Sequence, residues 1–210
     1  MAIASYDDLI ALIGTWMGRN DLQTQSSNFI RLFESEFNLK LKQLENKIST
    51  TLTASSTSRY LSLPSDYRKL DNLAFNTDPR DIQFVPEKLA NQISGGDANR
   101  QGRPKLFSIV SSSQIELNPR PDSDYSFTLT YYRSLPALGS TNQSNWLLEE
   151  TPNAYLYGSL KHASNYISDI EKRNDVKNIY DELVRDMFLD DFDRRYGGSA
   201  IRVMTTTGNP

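Results

Sequence analysis

Apolar residues recur along this chain with two periods, three to four residues toward both ends and two in the middle. Near the start, Tyr6, Leu9, Ile10, Ile13 and Trp16/Met17 form one stripe, which predicts a helix running from Ser5 to about Gly18. Ser5 is placed to cap it, and Asp7 and Asp8 lie in the first turn beside the positive end of the helix dipole. After a polar break at Arg19-Asn20-Asp21, the residues Phe29, Leu32, Phe33, Phe37, Leu41 and Leu44 predict a second amphipathic helix over 26–46. Arg31, Glu34, Lys40, Lys42 and Glu45 are then expected outside. Two such helices with a short connection read as an antiparallel hairpin.

The period changes after Lys47. Residues 48–53 alternate and are rich in β-branched side chains; a Ser/Thr loop follows, then a second alternating run over 59–63 that stops at Pro64. Further strands are predicted at 69–75, 81–85, 105–110 and 114–118, with a short helix at 86–93 stopped by Gly95-Gly96. The clearest strand is 125–132, where Tyr125, Phe127, Leu129 and Tyr131 share one face.

The helical period returns after the polar loop 139–145. Thr151 is placed as a cap and Pro152 as the first helical residue, where its missing N–H costs nothing. Tyr155, Leu156, Ser159, Leu160, Ala163, Tyr166 and Ile167 fall on one face, and Gly158, Ser159, Ala163 and Ser164 are small enough to let another helix come close. A break is expected at 169–174. The last helix, 175–196, bears Val176, Ile179, Tyr180, Leu183, Val184, Met187, Phe188 and Phe192 at steps of three and four, and Gly197-Gly198 stops it. The predicted fold is α+β: a four-helix bundle built from both chain ends (1–47 and 139–196), an inserted antiparallel β subdomain (48–138), and an extended C-terminal tail (197–210) without period or packing face.

Composition removes more functions than it suggests. The 210 residues include no cysteine and one histidine, and the formal net charge is −3 with basic residues dispersed. Disulfides, thiol nucleophiles and Cys-based metal sites are excluded. No apolar run is long enough to cross a bilayer, so no membrane contact is expected, and the acidic N-terminus does not read as a secretory signal. His162, alone on a helix flank with no partner for nucleophilic or metal chemistry, reads as a bundle residue. Asp186, Asp190 and Asp193 share a helix face, with Asp191, Arg185, Arg194 and Arg195 interleaved, and read as a solvated or intersubunit ion-pairing face in preference to a divalent-metal site. The loop around Arg100 and Arg103 is glycine-rich yet lacks the Lys-Ser/Thr ending of a phosphate loop, so it reads as a surface loop able to touch a partner or DNA. No enzyme activity and no cofactor are expected. A nucleic-acid-binding accessory protein is the alternative, and a divalent-metal hydrolase a more distant one.

Two stretches carry a resemblance. Trp146-Leu147-Leu148 followed by Pro152-Asn153-Ala154-Tyr155-Leu156-Tyr157-Gly158-Ser159-Leu160-Lys161-His162-Ala163 resembles the C-terminal half of the head–tail adaptor (connector) proteins of tailed bacteriophages, of the podovirus-like type. Leu63-Pro64-Ser65-Asp66-Tyr67 is similar to a segment at the start of their β region, and the resemblance spans roughly residues 5–195. It implies a structural virion protein at the head–tail junction, assembled in the host cytoplasm into a ring, typically of twelve copies. Such a ring docks on the portal protein and offers an attachment site to a downstream tail or nozzle protein, with passing contact to DNA in the channel. The matching portal-binding segment is Ser199-Ala200-Ile201-Arg202-Val203-Met204-Thr205-Thr206-Thr207. Asp186, Asp190, Asp193, Arg194, Arg195, Arg100 and Arg103 become the expected subunit or partner contacts.

Overall fold

The computed structural model describes residues 3–40, 46–78, 82–93 and 100–196. It is mixed α+β, with helices toward both ends and a central β region in two sheets. The chain divides into two compact units, Met1–Lys40 with Pro136–Pro210, and Leu41–Leu135.

In the helical unit, α1 (Tyr6–Met17) begins where Ser5 Oγ accepts the Asp8 N–H at 3.1 Å and ends at Gly18, whose left-handed backbone (φ 63°) suits glycine. Leu9, Ile13 and Met17, four residues apart, are its buried edge. The expected break at 19–21 is instead the entry to a short 3-10 helix, Asn20–Gln25, which buries Leu22 and leads straight into α2 (Ser26–Lys40). The proposed continuation of α2 over 41–46, with Leu41 and Leu44, lies almost wholly outside the described residues. Two assignments on α2 change. Leu32 is half exposed and Glu34 is buried, because the inner arc is set by Phe29, Ile30, Phe33 and Phe37. At 100° per residue, Leu32 points about 110° away from the middle of that arc, and Glu34 lies about 40° beyond its other edge.

The short helix α4 (Trp146–Glu150) replaces what the sequence suggests is loop, and it is capped by Asn145, whose Oδ1 accepts the Leu148 N–H at 3.1 Å. Thr151 makes no side-chain cap. Its backbone already closes α4, donating to Leu147 O, while its own carbonyl accepts from Ala154 N to start α5 (Pro152–Tyr166). Helix α5 packs on α1, α2, α4 and α6, so its buried arc is wide: Ala154, Tyr155, Leu156, Gly158, Ser159, Leu160, Ala163 and Ser164. Tyr166, expected on that face, is largely exposed, though its ring leans on Phe29 at 5.6 Å. Helix α6 (Ile170–Tyr196) starts five residues earlier than its periodicity suggests, because Asp169 caps it through the Lys172 N–H at 3.0 Å. A three-residue turn joins α5 to α6, so they run antiparallel, and α6 has 27 residues against 15 in α5. Val176, Tyr180 and Val184 are buried along the shared length. Beyond it α6 continues for about 18 Å, and there Phe188, Leu189 and Phe192 are 37%, 57% and 52% exposed.

In the β unit, β1 (Lys47–Ala54), β7 (Tyr125–Arg133) and β3 (Tyr67–Phe75) form an antiparallel sheet with β7 in the centre. A second sheet has the order β2 (Tyr60–Ser62), β6 (Gln114–Asn118), β5 (Leu106–Ser111), β4 (Gln83–Phe84). The alternation of β7 becomes a core: Phe127 lies opposite Leu52 and Phe75, and Leu129 opposite Leu73. Leu61, Phe107, Ile115 and Leu117 from the second sheet join the same cluster. The unit is not wholly antiparallel as expected, since β4 pairs with β5 in parallel. A parallel pair needs a crossover, and α3 (Glu87–Ile93) lies in the connection between them. The glycines expected to stop α3, Gly95 and Gly96, lie outside the described residues.

Candidate interaction surfaces

The overshooting part of α6 gathers most of the residues singled out as contacts. A groove of about 560 Å3 runs along it, lined by Asp181, Val184, Arg185, Phe188, Leu189 and Phe192. Around the groove three of the acids are matched on their own helix. Asp190 pairs with Arg194 at 2.8 Å, Asp191 with Arg195 at 2.9 Å, and Asp186 stands 3.8 Å from Arg185. Except for the shielded Asp191–Arg195 pair, these partners are half exposed or more, so water screens them. The face is apolar in the middle and charged at the rim, the composition of a protein contact. Among the described residues no group of three or more His, Cys, Asp or Glu side chains is arranged to hold a metal ion. The segment Ser199–Thr207 lies outside the described residues.

The other basic candidates belong to the β unit. Arg103 is engaged within that unit: its Nη2 lies 3.0 Å from Asp78 and its guanidinium 4.4 Å from the centre of the Phe75 ring. Arg100 is exposed and fixes the backbone through its carbonyl, which accepts from Arg120 N at 3.1 Å. A second apolar groove, of about 540 Å3, is lined by Tyr67, Leu70, Phe84 and Ile109 with Arg68 and Lys69 on its edge. The strand residues Phe84 and Ile109 are exposed there.

Two polar clusters inside the helical unit escape a reading based on periodicity. Glu34 is 4% exposed, and its Oε1 accepts the Leu138 N–H at 2.8 Å and the Tyr155 hydroxyl at 3.0 Å. Asn145 Nδ2 donates to that hydroxyl and to Pro136 O, both at 2.7 Å. Four hydrogen bonds thus fasten the segment after residue 135 onto α2 and α5. Burial pushes the Glu34 carboxyl above its ordinary pKa, against the lowering effect of its two donors. Burial likewise pushes the Tyr155 hydroxyl up, reinforced by Glu34. The second cluster contains His162, whose Nε2 lies 3.2 Å from Glu36 Oε2, an oxygen shared with Lys161 Nζ at 2.5 Å. Burial and then the Lys161 charge hold the imidazole below its ordinary pKa, with Glu36 acting the other way. The bundle reading of His162 describes this placement. Its partner Glu36 has no signal in the sequence beyond a position on the flank of α2.

Exposed apolar faces with charged rims, and buried polar ties within the helical unit, are features of a protein built to make contacts. A family model described as SU10 adaptor protein matches residues 4–204, and the chain belongs to that family. Its role is that of a head-to-tail adaptor of a tailed phage, a virion protein without enzymatic activity. No curated protein matches the chain.

Proposed function

We propose that this adaptor works as a ring, of about twelve copies as in podovirus-like connectors, docked on the portal protein and presenting the attachment site for the next tail component. The observation that supports this most directly is the length mismatch between α5 and α6, which leaves Phe188, Leu189 and Phe192 exposed on a stretch of helix with no α5 beside it. The four-helix arrangement is the rigid body of each copy, and the β region is an insertion that supplies further contacts. Residues Asp186, Asp190, Asp193, Arg194 and Arg195 rim the α6 contact, and Arg100 and Arg103 serve a contact of the β unit. The segment Ser199–Thr207, with the apolar Ile201, Val203 and Met204, makes the contact with the portal.

The test is co-sedimentation with the portal protein of the same phage. The full chain forms a complex with a fixed, symmetric number of copies, and the chain ending at residue 198 keeps its helical circular dichroism and stays free. A shortened chain that binds the portal normally refutes the assignment of the segment. A portal that sediments unchanged with the full chain refutes the ring on the portal.

A further inference from the structure

Near their connection α5 and α6 leave a cleft of about 480 Å3, lined by Lys161, His162 and Asn165 from one helix and Arg173, Asn174 and Lys177 from the other. The sequence spacing builds it. On each helix the three positions fall within about one turn, so both sets face the same space from opposite sides. Every lining side chain has N–H donors and none is an acid.

The charges there are unevenly matched. Lys161 is held by Glu36 at 2.5 Å and lies 4.4 Å from the centre of the Tyr180 ring. Lys177 faces Asp181 at 3.0 Å, but both side chains are about half exposed, so the pair is weak. Arg173 has no ion pair among the described residues, where its side chain meets only Asn174 at 3.4 Å. With His162 neutral, three cations face two carboxylates, which makes this a basic cleft on a chain of net charge −3.

We propose that this cleft binds a phosphate group, with Arg173 and Lys177 as charged donors and Asn165, Asn174 and His162 around them. A tetrahedral oxyanion offers acceptors to donors arriving from both helices. The fork of Arg173 fits two of its oxygens and leaves others for the ammonium and the amides. A planar carboxylate, with two oxygens, would leave most of this donor set unused. A free phosphate ion and the phosphodiester of a nucleic-acid strand share the required chemistry. The site is independent of the adaptor role.

Because the chain has one histidine, the NMR signal of its Cε1 proton is assigned without ambiguity and reports on the cleft. Sulfate is the probe, since it stays doubly charged throughout the titration, and chloride at equal ionic strength is the reference. A seated dianion favours the charged imidazole, so the His162 midpoint rises saturably by about 0.5 unit or more. Arg173→Gln and Lys177→Gln each remove at least half of the rise, while Arg185→Gln, outside the cleft on the same helix, leaves it intact. Circular dichroism confirms that each variant is folded, and Lys177→Gln, at an exposed site, decides the matter if Arg173→Gln unfolds. Equal midpoints in sulfate and chloride, or a rise that survives both cleft substitutions, overturns the proposal. A short single-stranded DNA that displaces sulfate identifies a phosphodiester as the ligand; sulfate retained against it identifies the free ion.

Discussion

Two helical glycines give opposite answers to the same substitution. A Cβ at Gly158 of α5 would stand inside the van der Waals surface of the Phe33 ring, against Cδ2 and Cε2. Phe33 is fully buried, and its ring centre lies 4.8 Å from Tyr155, 5.6 Å from Phe37 and 5.9 Å from Tyr180. With aromatic neighbours on three sides the ring has nowhere to go, so α2 and α5 must separate or leave their rotamers. Overpacking of this kind costs about 3 kcal/mol, and the better helix propensity of alanine returns about 1 kcal/mol. Gly158→Ala should therefore destabilise the protein by about 2 kcal/mol. Gly14 of α1 is the contrast, because a Cβ there meets Gln23 Cβ at 3.7 Å, an ordinary contact. Gly14→Ala keeps the propensity gain and should stabilise by about 0.5–1 kcal/mol. Urea denaturation followed by helical circular dichroism measures both. Adding Phe33→Leu to Gly158→Ala should cost less than the separate effects combined, since the smaller side chain relieves the overlap. A Gly158→Ala protein as stable as the parent would mean that α2 and α5 do not approach this closely, and the account of the helical core would fail.

Three more outcomes follow from the buried and exposed groups. Because burial raises the Glu34 pKa above the usual 4.5, the native state holds that proton more tightly than the unfolded chain; stability falls as pH rises through this window, then levels off. Glu34→Gln should flatten that slope, whereas Glu34→Ala strands the Leu138 N–H and the Tyr155 hydroxyl and should cost about 1–3 kcal/mol at neutral pH; an equal loss in both variants contradicts the reading. His162, held below 6.5, contributes stability present above pH 6.5 and lost as pH falls through its native value. Glu36→Gln should lower its NMR midpoint further, and a rise would show that Glu36 is not the group favouring the charged form. Leu189→Lys, at a site 57% exposed, should change stability by less than about 0.5 kcal/mol yet prevent assembly on the portal; a variant that assembles normally removes this face from the interface.

Periodicity made the elements legible and left their partners dark. The period-two pattern of 125–132 places Phe127, Leu129 and Tyr131 in the core, where they lie, and the Ser5 and Gly18 signals bound α1 as observed. Capping is where local rules compete. Thr151 reads as a cap because Pro152 follows it, but Asn145 had already begun a helix six residues earlier and the Thr151 backbone was committed to closing it. The Asp169 start is masked because the apolar stripe begins only at Val176, although an aspartate followed by an acid in the first turn, here Glu171, is a legitimate helix start. Glu34 shows a different limit. A carboxylate on the edge of an apolar arc reads as solvated, and only the arrival of the Leu138 N–H and the Tyr155 hydroxyl from distant sequence makes burial tolerable.

Helix α6 shows how assembly can be written into element lengths instead of motifs. Its apolar steps from Val176 to Phe192 read as one continuous core stripe, and the sequence has no mark where the core ends. The mark is the length of α5, fixed by the turn at 167–169 and by Pro152. Val176, Tyr180 and Val184 are buried by their own chain, although Ile179 between them is exposed; Phe188, Leu189 and Phe192 beyond them are all exposed. A chain under no demand to associate gains solubility by placing polar residues at 188, 189 and 192. Phenylalanine and leucine there, between ion pairs that keep the rim soluble, suit the partner contact proposed for this face.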